Sequence, residues 1–599
     1  MAGIAGYIRT DGRPADPDVV RAMADALAHR GGPAAILDGA GGGARLVCDG
    51  PDAVQARRGN GGASSGDLAV SLADTDATNL PAALDRLPDP FALAVWDPGP
   101  RRLLLARDRL GTRPLYWWRG DAGLAFASEP AALLTCPDVP RRLDAATLGD
   151  FLRFGYVPAP ATGLRGVHHL PPAHCLVFDA AAGDLDGPRR WWDIPRGPAE
   201  TGLPLGEWIG RTRDVLAAAV RARLAGAGRV GVLLSGGIDS SIIAALAAEA
   251  AGRPLPTFTA AFDEPGWDES PHARAVADRL GTEHTEVRIR PEAIETADDL
   301  LATGVLLADS SGLALAALAR EVGPAFDAVL SGDGGDESFG GYLRHAALWR
   351  SERVPAALRR LLAPLGRCMP PRPGRKSTWN AARRFASALD LAPLDRYLAW
   401  RSLWTAGDLA ALVVPAVAAE ALAADPLARW RDLAADLADR PWIDRAMAID
   451  LLDYLPNDGL AKVDTAATAR GLAVRSPMLD PQVVTLARRM PWDVRWRRRA
   501  GRLPEGKRVL REAFADVLPP AVARRGKAGF GVPVSRWLAG PYADWARDVL
   551  LDTGARTAPL LRREAVAALL SAHTARRADH GERLWALLCL ELWMAAVGV

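Results

Sequence analysis

The chain has few cysteines, and they are scattered along the sequence. Its 599 residues include five cysteines, an odd number, and no two stand in a Cys-x-x-Cys pair. Scattered cysteines of this kind predict neither a disulfide framework nor a zinc site. The start of the chain also lacks a basic stretch followed by an apolar one, so no secretory signal is predicted. A reducing cytoplasm is the expected location.

Long apolar runs and an excess of either charge are missing as well. No run of 18 or more apolar residues is free of charged residues, so no membrane span is expected. Lys+Arg number 73 and Asp+Glu 71, a formal net charge of +2, which gives no general reason to expect a nucleic-acid or anionic-membrane partner. Lysine is scarce beside arginine, which we interpret as a GC-rich coding bias more than as chemistry.

The length exceeds what one hydrophobic core usually supports, and the texture of the sequence indicates two domains. Residues 1–192 read as short strands and turns, beginning with an apolar run from Ile4 to Ile8 and including a Gly- and Ala-rich stretch, 39–66, expected to be a loop. Residues 193–206 have the Pro/Gly composition of a linker. In residues 207–599 strands alternate with helices, which predicts a parallel sheet, and the chain is mainly helical beyond about residue 345.

The sequence VGVLLSGGIDSSIIAALAAEA carries the strongest functional signal. An apolar strand, Val230–Leu234, ends in Ser235-Gly236-Gly237-Ile238-Asp239-Ser240-Ser241, and a helix follows. Glycines allow backbone amides to turn towards a ligand, and a helix amino terminus favours an anion. The stretch lacks the lysine of the G-x-x-x-x-G-K-[ST] loop and is therefore not that motif, and the alternative to a ligand-binding turn is a capped strand-to-helix turn.

A second strand also ends in a glycine-rich loop. The sequence VLSGDGGDESFGGY, Val329–Tyr342, carries Asp333, Asp336 and Glu337. On a parallel sheet both loops lie at the carboxyl edge, where ligands bind. Asp239 and Asp336 are therefore expected to lie close enough together to share a divalent cation.

The first motif resembles the pyrophosphate-binding loop of the ATP pyrophosphatase group, and the two motifs together resemble the asparagine synthetase family. The resemblance covers nearly the whole chain through three further segments: FLRFGYVPAP…GLRGVHHLPPAH, LPNDGLAKVDTAATARGLAVRSPMLD and GKRVLREAFADVLPPAVARRGKAGFGVPVSRWL. It implies an α+β amino-terminal domain, layered, β-sandwich-like and of Ntn type. An α/β parallel-sheet ATP pyrophosphatase domain with helical carboxy-terminal additions would follow.

The resemblance also assigns site residues. The positions for ATP are Ser235, Gly236, Gly237, Asp239, Ser240, Ser241 and Gly332, and those for Mg²⁺ are Asp239 and Asp336. Lys527, in RRGKAGF, would face the charge that develops during acyl transfer. Asp333 would orient or deprotonate the attacking amine. Lys462 is either catalytic or, with Arg475, part of a salt bridge at a domain seam.

Residue 2 is alanine, whereas glutamine-dependent members of the family carry there the cysteine that attacks the glutamine amide. The family's His-Arg-Gly-Pro-Asp turn survives only as His29-Arg30-Gly31-Gly32-Pro33, and no Asn-Gly-Glu stretch is recognisable after it. Cys48 lacks the free α-amine that activates the family nucleophile. Ala2 is therefore interpreted as a lost nucleophile position in a domain that no longer hydrolyses glutamine.

Two acidic positions of the family are missing on the acceptor side. Gly304-Val305-Leu306 stands in place of Asp-Glu-Pro, and Gly471-Leu472-Ala473-Val474-Arg475 in place of Ser-Leu-Glu-Ala-Arg. The ammonium group of free aspartate needs anionic partners, so these losses argue against aspartate as the acceptor. They favour a bulkier or less charged substrate.

Three hypotheses about function stay open. The first is an AMP-forming amide synthetase that resembles the family members without glutaminase activity. Of these, a macrolactam-forming lasso-peptide cyclase is slightly favoured over a β-lactam synthetase. The second is an asparagine synthetase that uses free ammonia or ammonia from a separate glutaminase. The third, an inactive ATP-sensing or scaffolding relative, is opposed by the intact SGGIDSS motif.

ATP and Mg²⁺ are the cofactors that the resemblance implies. The expected substrate bears a carboxylate and an amine, and a precursor peptide would be one such molecule. A peptide cyclase would have a protease or a peptide-recognition protein as partner, and a homodimer stays open. No nucleic-acid or membrane partner is expected.

Overall fold

The structure is a computed structural model. It describes residues 3–30, 35–38, 44–48, 80–97, 99–264, 266–370, 372, 377–499, 502–526, 529 and 531–599.

The amino-terminal part contains two antiparallel sheets. Its strands are β1 Ile4–Arg9, β2 Ala35–Asp38, β3 Ala44–Cys48, β4 Ala92–Asp97, β5 Arg102–Arg107, β6 Tyr116–Gly120, β7 Gly123–Ala127, β8 Val167–His169, β9 His174–Asp179 and β10 Asp184–Arg190. The order is β2-β3-β1-β7-β6-β8 in the first sheet and β10-β9-β5-β4 in the second. Its helices are α1 Pro17–Asp25, α2 Leu80–Asp85, α3 Pro130–Leu133 and α4 Leu148–Phe154.

The two sheets pack face to face over a shared apolar core. Ile8 of β1 and Phe126 of β7 come from the first sheet, and Leu105 of β5 and Phe178 of β9 from the second. Helices α1 and α3 cover the outer face of the first sheet, and α2 covers that of the second. These four layers agree with the layered α+β domain that the family resemblance implies.

The second part is built on a five-stranded parallel sheet. Its strands are β11 Val230–Leu233, β12 Thr257–Phe262, β13 His284–Ile289, β14 Ala328–Leu330 and β15 Ala473–Arg475, in the order β13-β12-β11-β14-β15. The first four are the β-branched apolar runs of the sequence. The central strands β11, β12 and β14 are almost entirely buried, as expected when helices cover both faces of a parallel sheet, whereas the edge strand β13 carries exposed polar side chains.

Helices make up most of the remainder. They are α5 Leu205–Leu224, α6 Ile238–Ala251, α7 Ser270–Leu280, α8 Ala297–Leu301, α9 Ser311–Val322, α10 Gly335–Phe339, α11 Leu343–Glu352, α12 Ala356–Cys368, α13 Thr378–Ser387, α14 Pro393–Arg401, α15 Ala406–Leu412, α16 Pro415–Ala421, α17 Ala428–Ala435, α18 Trp442–Ile449, α19 Leu460–Thr468, α20 Pro481–Arg489, α21 Trp492–Arg495, α22 Arg508–Ala513, α23 Pro520–Ala523, α24 Val534–Leu538, α25 Ala543–Leu551, α26 Arg563–Thr574 and α27 Gly581–Val597. A π-helical stretch, Asp450–Gly459, joins α18 to α19. Short 3₁₀ turns lie at Ala28–Arg30, Ala145–Thr147, Pro291–Thr296, Gly323–Ala325 and Pro477–Leu479.

The segment predicted to be a linker, 193–206, runs between the two parts without helix or strand as far as residue 204, and its last two residues begin α5. Residues 191–204 separate β10 from α5. They are nevertheless fixed to the second part, because Arg440 Nε donates to the carbonyl oxygen of Gly197 (2.8 Å) and the Glu200 amide donates to that of Arg489 (2.8 Å).

One local prediction was wrong. Residues 44–48 form strand β3, although the Gly- and Ala-rich composition around them predicted a loop. The region beyond residue 345 is mainly helical, as predicted, and its short strand β15 forms by pairing in parallel with β14, far away in sequence. Among the described helices none is long and apolar enough to cross a membrane.

Candidate active site

The serine- and glycine-rich loop follows β11 and leads directly into α6. Gly236 has φ +67°, and a Cβ at this position would lie 2.5 Å from the backbone nitrogen of Ala273, so only glycine fits. The Oγ atoms of Ser235 and Ser240 lie 3.1 Å apart across the loop. The amino terminus of α6, at Gly237 and Ile238, gives this loop the positive end of a helix dipole.

The acidic loop lies against the first one because β14 is the parallel neighbour of β11. A Cβ on Gly332 would lie 2.8 Å from the backbone nitrogen of Ser240 and 2.9 Å from the Cβ of Asp239. The missing side chain of Gly332 is therefore what allows the two loops to touch. The sequence prediction that both loops share the carboxyl edge of one sheet is confirmed.

A buried lysine joins the two loops. The Nζ atom of Lys507 is within ion-pair distance of both Asp239 and Asp336, and all three side chains are at most 14% exposed. Burial alone would lower the pKa of Lys507, but the two carboxylates outweigh it and raise the pKa above its usual range. The ammonium group therefore stays charged and lies between the two predicted Mg²⁺ ligands.

The pair Asp239 and Asp336 fits a magnesium ion held on a nucleotide. Among the described residues no group of three or more His, Cys, Asp and Glu side chains is placed to hold a metal ion. Mg²⁺ that bridges substrate phosphates needs only one or two carboxylates and keeps water as its other ligands. The ammonium group of Lys507 already places one positive charge between Asp239 and Asp336.

The two loops line a cavity of about 660 Å³, a size ordinary for a small-molecule site. Of the predicted residues, the cavity lining includes Ser235, Gly236, Gly237, Asp239, Ser240, Gly332, Asp333, Asp336 and Lys462. Arg525 and Gly526 also reach it, directly before Lys527. Two leucines at this cavity, Leu343 (62% exposed) and Leu503 (40%), remain largely open to solvent.

Lys462 and Asp333 are anchored on the same cavity by polar contacts. Lys462 Nζ donates to Asp309 Oδ2 (2.8 Å) and to Ser311 Oγ (2.9 Å). Asp333 accepts a hydrogen bond from Ser331 Oγ (2.8 Å), and its carbonyl oxygen accepts one from Ser476 Oγ (2.5 Å). Lys462 therefore forms a salt bridge, within the second domain and not at the domain seam that one interpretation expected, and it also faces the cavity.

Asp458 is a buried carboxyl group beside this lysine. It lies in the π-helical stretch and is 8% exposed. Burial and then the charge of Asp309 raise the pKa of Asp458 to about 7, although Lys462 opposes the shift. The sequence prediction did not include Asp458, because nothing in its local pattern distinguishes it from the neighbouring acidic residues.

Several predicted residues do not line the cavity. The Oγ of Ser241 donates to the carbonyl oxygen of Gly237 (2.6 Å), so this hydroxyl closes the first turn of α6. Arg475 extends to the carbonyl oxygen of Arg223 (2.9 Å), away from the cavity. Val305 and Ala473, which carried the argument about the acceptor, are also outside the cavity lining. Ala2 and Lys527 lie outside the described residues.

Lys507 is the site residue that the sequence prediction missed, and the scarcity of lysine could have revealed it. The chain has only four lysines, Lys376, Lys462, Lys507 and Lys527, among 73 basic residues. Lys462 and Lys507 both line the cavity. An ammonium is a compact point charge that a planar guanidinium does not replace, so lysines retained in an arginine-rich chain indicate a chemical requirement.

Comparison with known proteins agrees with this geometry. The family described as asparagine synthase matches residues 211–595, which include both loops, Lys462 and Lys507. The chain belongs to the asparagine synthase family. A glutamine amidotransferase domain family matches residues 58–192. Members of the asparagine synthase family are carbon–nitrogen ligases that use ATP and form AMP and pyrophosphate, and this chain is an enzyme of that class.

Individual relatives resemble this family member along most of its length. A putative glutamine-hydrolysing asparagine synthetase of Mycobacterium tuberculosis is 32% identical over 546 residues, 86% of this chain and 77% of the relative. Glutamine-hydrolysing asparagine synthetase 1 of Bacillus subtilis is 27% identical over 522 residues, 85% of this chain and 78% of the relative. A glutamine phosphoribosylpyrophosphate amidotransferase structure from B. subtilis covers 42% of this chain and 65% of its own at 16% identity, and its TM-score of 0.21 carries no argument.

Removing the ammonium group that joins the two loops should destabilise the enzyme. In Lys507→Met, Asp239 and Asp336 repel each other in a buried site, and the free energy of unfolding should fall by about 3–5 kcal/mol. Because a divalent cation can replace the lost charge, MgCl₂ should restore part of the stability in the variant and have little effect on the parent chain. Urea unfolding with and without MgCl₂ measures both effects.

A surface pair provides the control for this variant. Arg21 and Asp18 are 2.8 Å apart and 60% and 85% exposed, so Arg21→Met should change the free energy of unfolding by less than about 1 kcal/mol, whatever the magnesium concentration. If Lys507→Met were as stable as the parent chain without magnesium, the proposed role of this ammonium would be wrong.

The raised pKa of Asp458 predicts a pH-dependent effect on stability. The ordinary pKa of an aspartate is 3.8. Between that pH and about pH 7, the Asp458 carboxyl group keeps in the folded chain a proton that it releases in the unfolded chain, so it destabilises the fold progressively as the pH rises. Asp458→Asn removes that penalty. The melting temperature of the variant minus that of the parent chain should therefore be larger at pH 8 than at pH 5. An equal difference at both pH values would contradict the raised pKa.

Proposed function

We propose that this enzyme activates a carboxylate by adenylation and joins it to an amine whose nitrogen does not come from glutamine. In the first step a carboxylate oxygen attacks the α-phosphorus of ATP, and pyrophosphate leaves. In the second step the amine nitrogen attacks the acyl carbon, the bond to AMP breaks, and the nitrogen loses a proton. The observation that carries this proposal is the contact of the two loops around Lys507.

The residues of the two loops support the first step. Ser235, Ser240 and the backbone amides at the start of α6 suit phosphate oxygens. Asp239 and Asp336 would hold Mg²⁺, which would neutralise charge on the leaving pyrophosphate. Lys507 would then give up one or both carboxylates and present its ammonium to the phosphates.

Two residues are proposed for the second step. Asp333 lies at the cavity with its carboxylate held by Ser331, and would orient the incoming amine or take its proton. Lys527, by its place in the family signature, would stabilise the charge that develops as AMP leaves. Lys462, held by Asp309, adds a second fixed positive charge to the same cavity.

The absence of glutaminase activity is part of the proposal. It rests on Ala2 at the position of the family nucleophile and on the missing Asn-Gly-Glu stretch. The nitrogen would therefore be free ammonia or an amine carried by the substrate itself.

For the substrate we propose a peptide that is closed into a macrolactam, as in the lasso-peptide cyclases. The exposed Leu343 and Leu503 at the cavity support a substrate larger and less polar than a free amino acid. A precursor peptide, a protease or peptide-recognition partner, cytoplasmic location and a homodimer belong to this proposal.

Asparagine synthesis from free ammonia is the second candidate. The names of the relatives from M. tuberculosis and B. subtilis favour it, and so does the acidic Asp333. The missing acidic positions give little evidence against it, because Val305 and Ala473 do not line the large cavity.

The two candidates give different products. The purified chain is incubated with Mg·ATP and either the small peptides encoded beside its gene or aspartate with ammonium chloride. We expect a peptide product one water lighter than its precursor, with one AMP formed per product, and no asparagine. Asparagine formed from aspartate and ammonium would instead establish the second candidate. Asp336→Asn, which removes one carboxylate charge from the phosphate site, is the matched inactive control.

A further inference from the structure

The two domains meet at a cluster of buried charges that plays no part in the proposed chemistry. Arg30 of the amino-terminal domain donates from Nε to Glu129 Oε1 (2.5 Å) and contacts the carboxylate of Asp464 through Nη2. The side chains of Arg30, Glu129 and Asp464 are 2%, 2% and 5% exposed. Arg113 approaches Asp464 from the same domain, with 3.7 Å between Nη1 and Oδ1.

Asp464 lies on the helix that carries the cavity lysine. It belongs to α19, two residues after Lys462. With 3.6 residues per turn, side chains two positions apart point to nearly opposite sides of a helix. Asp464 accordingly faces the amino-terminal domain, whereas Lys462 faces the cavity and contacts Asp309 and Ser311.

The cluster leaves little room for another arrangement. The two small cavities beside it enclose only about 10 and about 20 Å³, so neither has room for more than about one water molecule. Buried ion pairs are a weak source of stability, because well-packed apolar residues of similar volume often serve as well. A charged cluster instead makes the contact between the domains specific, since each hydrogen bond fixes which groups meet.

We propose that Arg30 is a positioning residue through which the amino-terminal domain holds α19, and with it Lys462, in place. The inference goes beyond the proposed function, because it gives this domain a role that does not depend on which amine reacts. It requires the contact between Arg30 and Asp464 to restrain the cavity side of the same helix.

The four lysines allow a test that needs no substrate. Asp464→Asn keeps the shape of the side chain and removes its charge. An amine-reactive reagent is applied at fixed pH, and mass spectrometry gives the labelling rate of Lys462 and Lys507 separately. Because Lys507 is held by the two loops and not by α19, it serves as an internal reference. We expect Lys462 to be labelled at least tenfold faster in the variant and Lys507 to change less than twofold.

Other results would overturn the proposal. An unchanged rate at Lys462 would show that Asp464 does not restrain it, and an equal increase at both lysines would show general loosening only. If Asp464→Asn does not fold, Arg30→Lys provides the second variant, since it keeps the charge and loses the fork that reaches both carboxylates. The same selective increase is expected there, and Asp516→Asn on the surface should alter neither rate.

Discussion

Two carboxylates at the edge of the parallel sheet are held around one buried ammonium group, and the rest of the site is arranged about this contact. Asp239 follows β11 and Asp336 follows β14, and the two strands are neighbours. Gly332 allows the loops to touch, and Lys507 balances the negative charge that the contact concentrates. Without a cation between them, two buried carboxylates would drive the loops apart. The site proposed for the phosphates is therefore held together by the protein's own charges.

This arrangement explains how one edge of a sheet can serve both steps of amide formation. The phosphate loops lie on β11 and β14, and Asp333 stands in the same acidic loop, three residues before Asp336. Lys462 comes from the separate helix α19, which contacts the amino-terminal domain through Asp464. The residues proposed for adenylation thus follow strands of the sheet, while Lys462, proposed for acyl transfer, lies on a helix that packs against the other domain. A domain without glutaminase activity would still be needed for that packing.

Much of the fold and half of the site could be predicted from the sequence, because they depend on local patterns. The strands β11, β12 and β14 are short apolar runs, and the two glycine-rich loops directly follow β11 and β14. Lys507 could not be placed in this way, since it reaches Asp239 across 268 residues of chain. β15 is three residues long and has no pattern of its own, so only its pairing with β14 defines it. Ser241 has the right residue type, but its hydroxyl bonds to the backbone of Gly237.

The source of the nitrogen most directly distinguishes the proposed enzyme from the glutamine-hydrolysing members of its family. The measurement supplies Mg·ATP and aspartate with glutamine labelled with ¹⁵N in its amide, and follows both glutamate formation and ¹⁵N in any amide product. We expect no glutamate and no labelled product, because Ala2 provides no nucleophile. Labelled asparagine, or glutamate released at a rate comparable to that of the B. subtilis relative, would contradict this expectation.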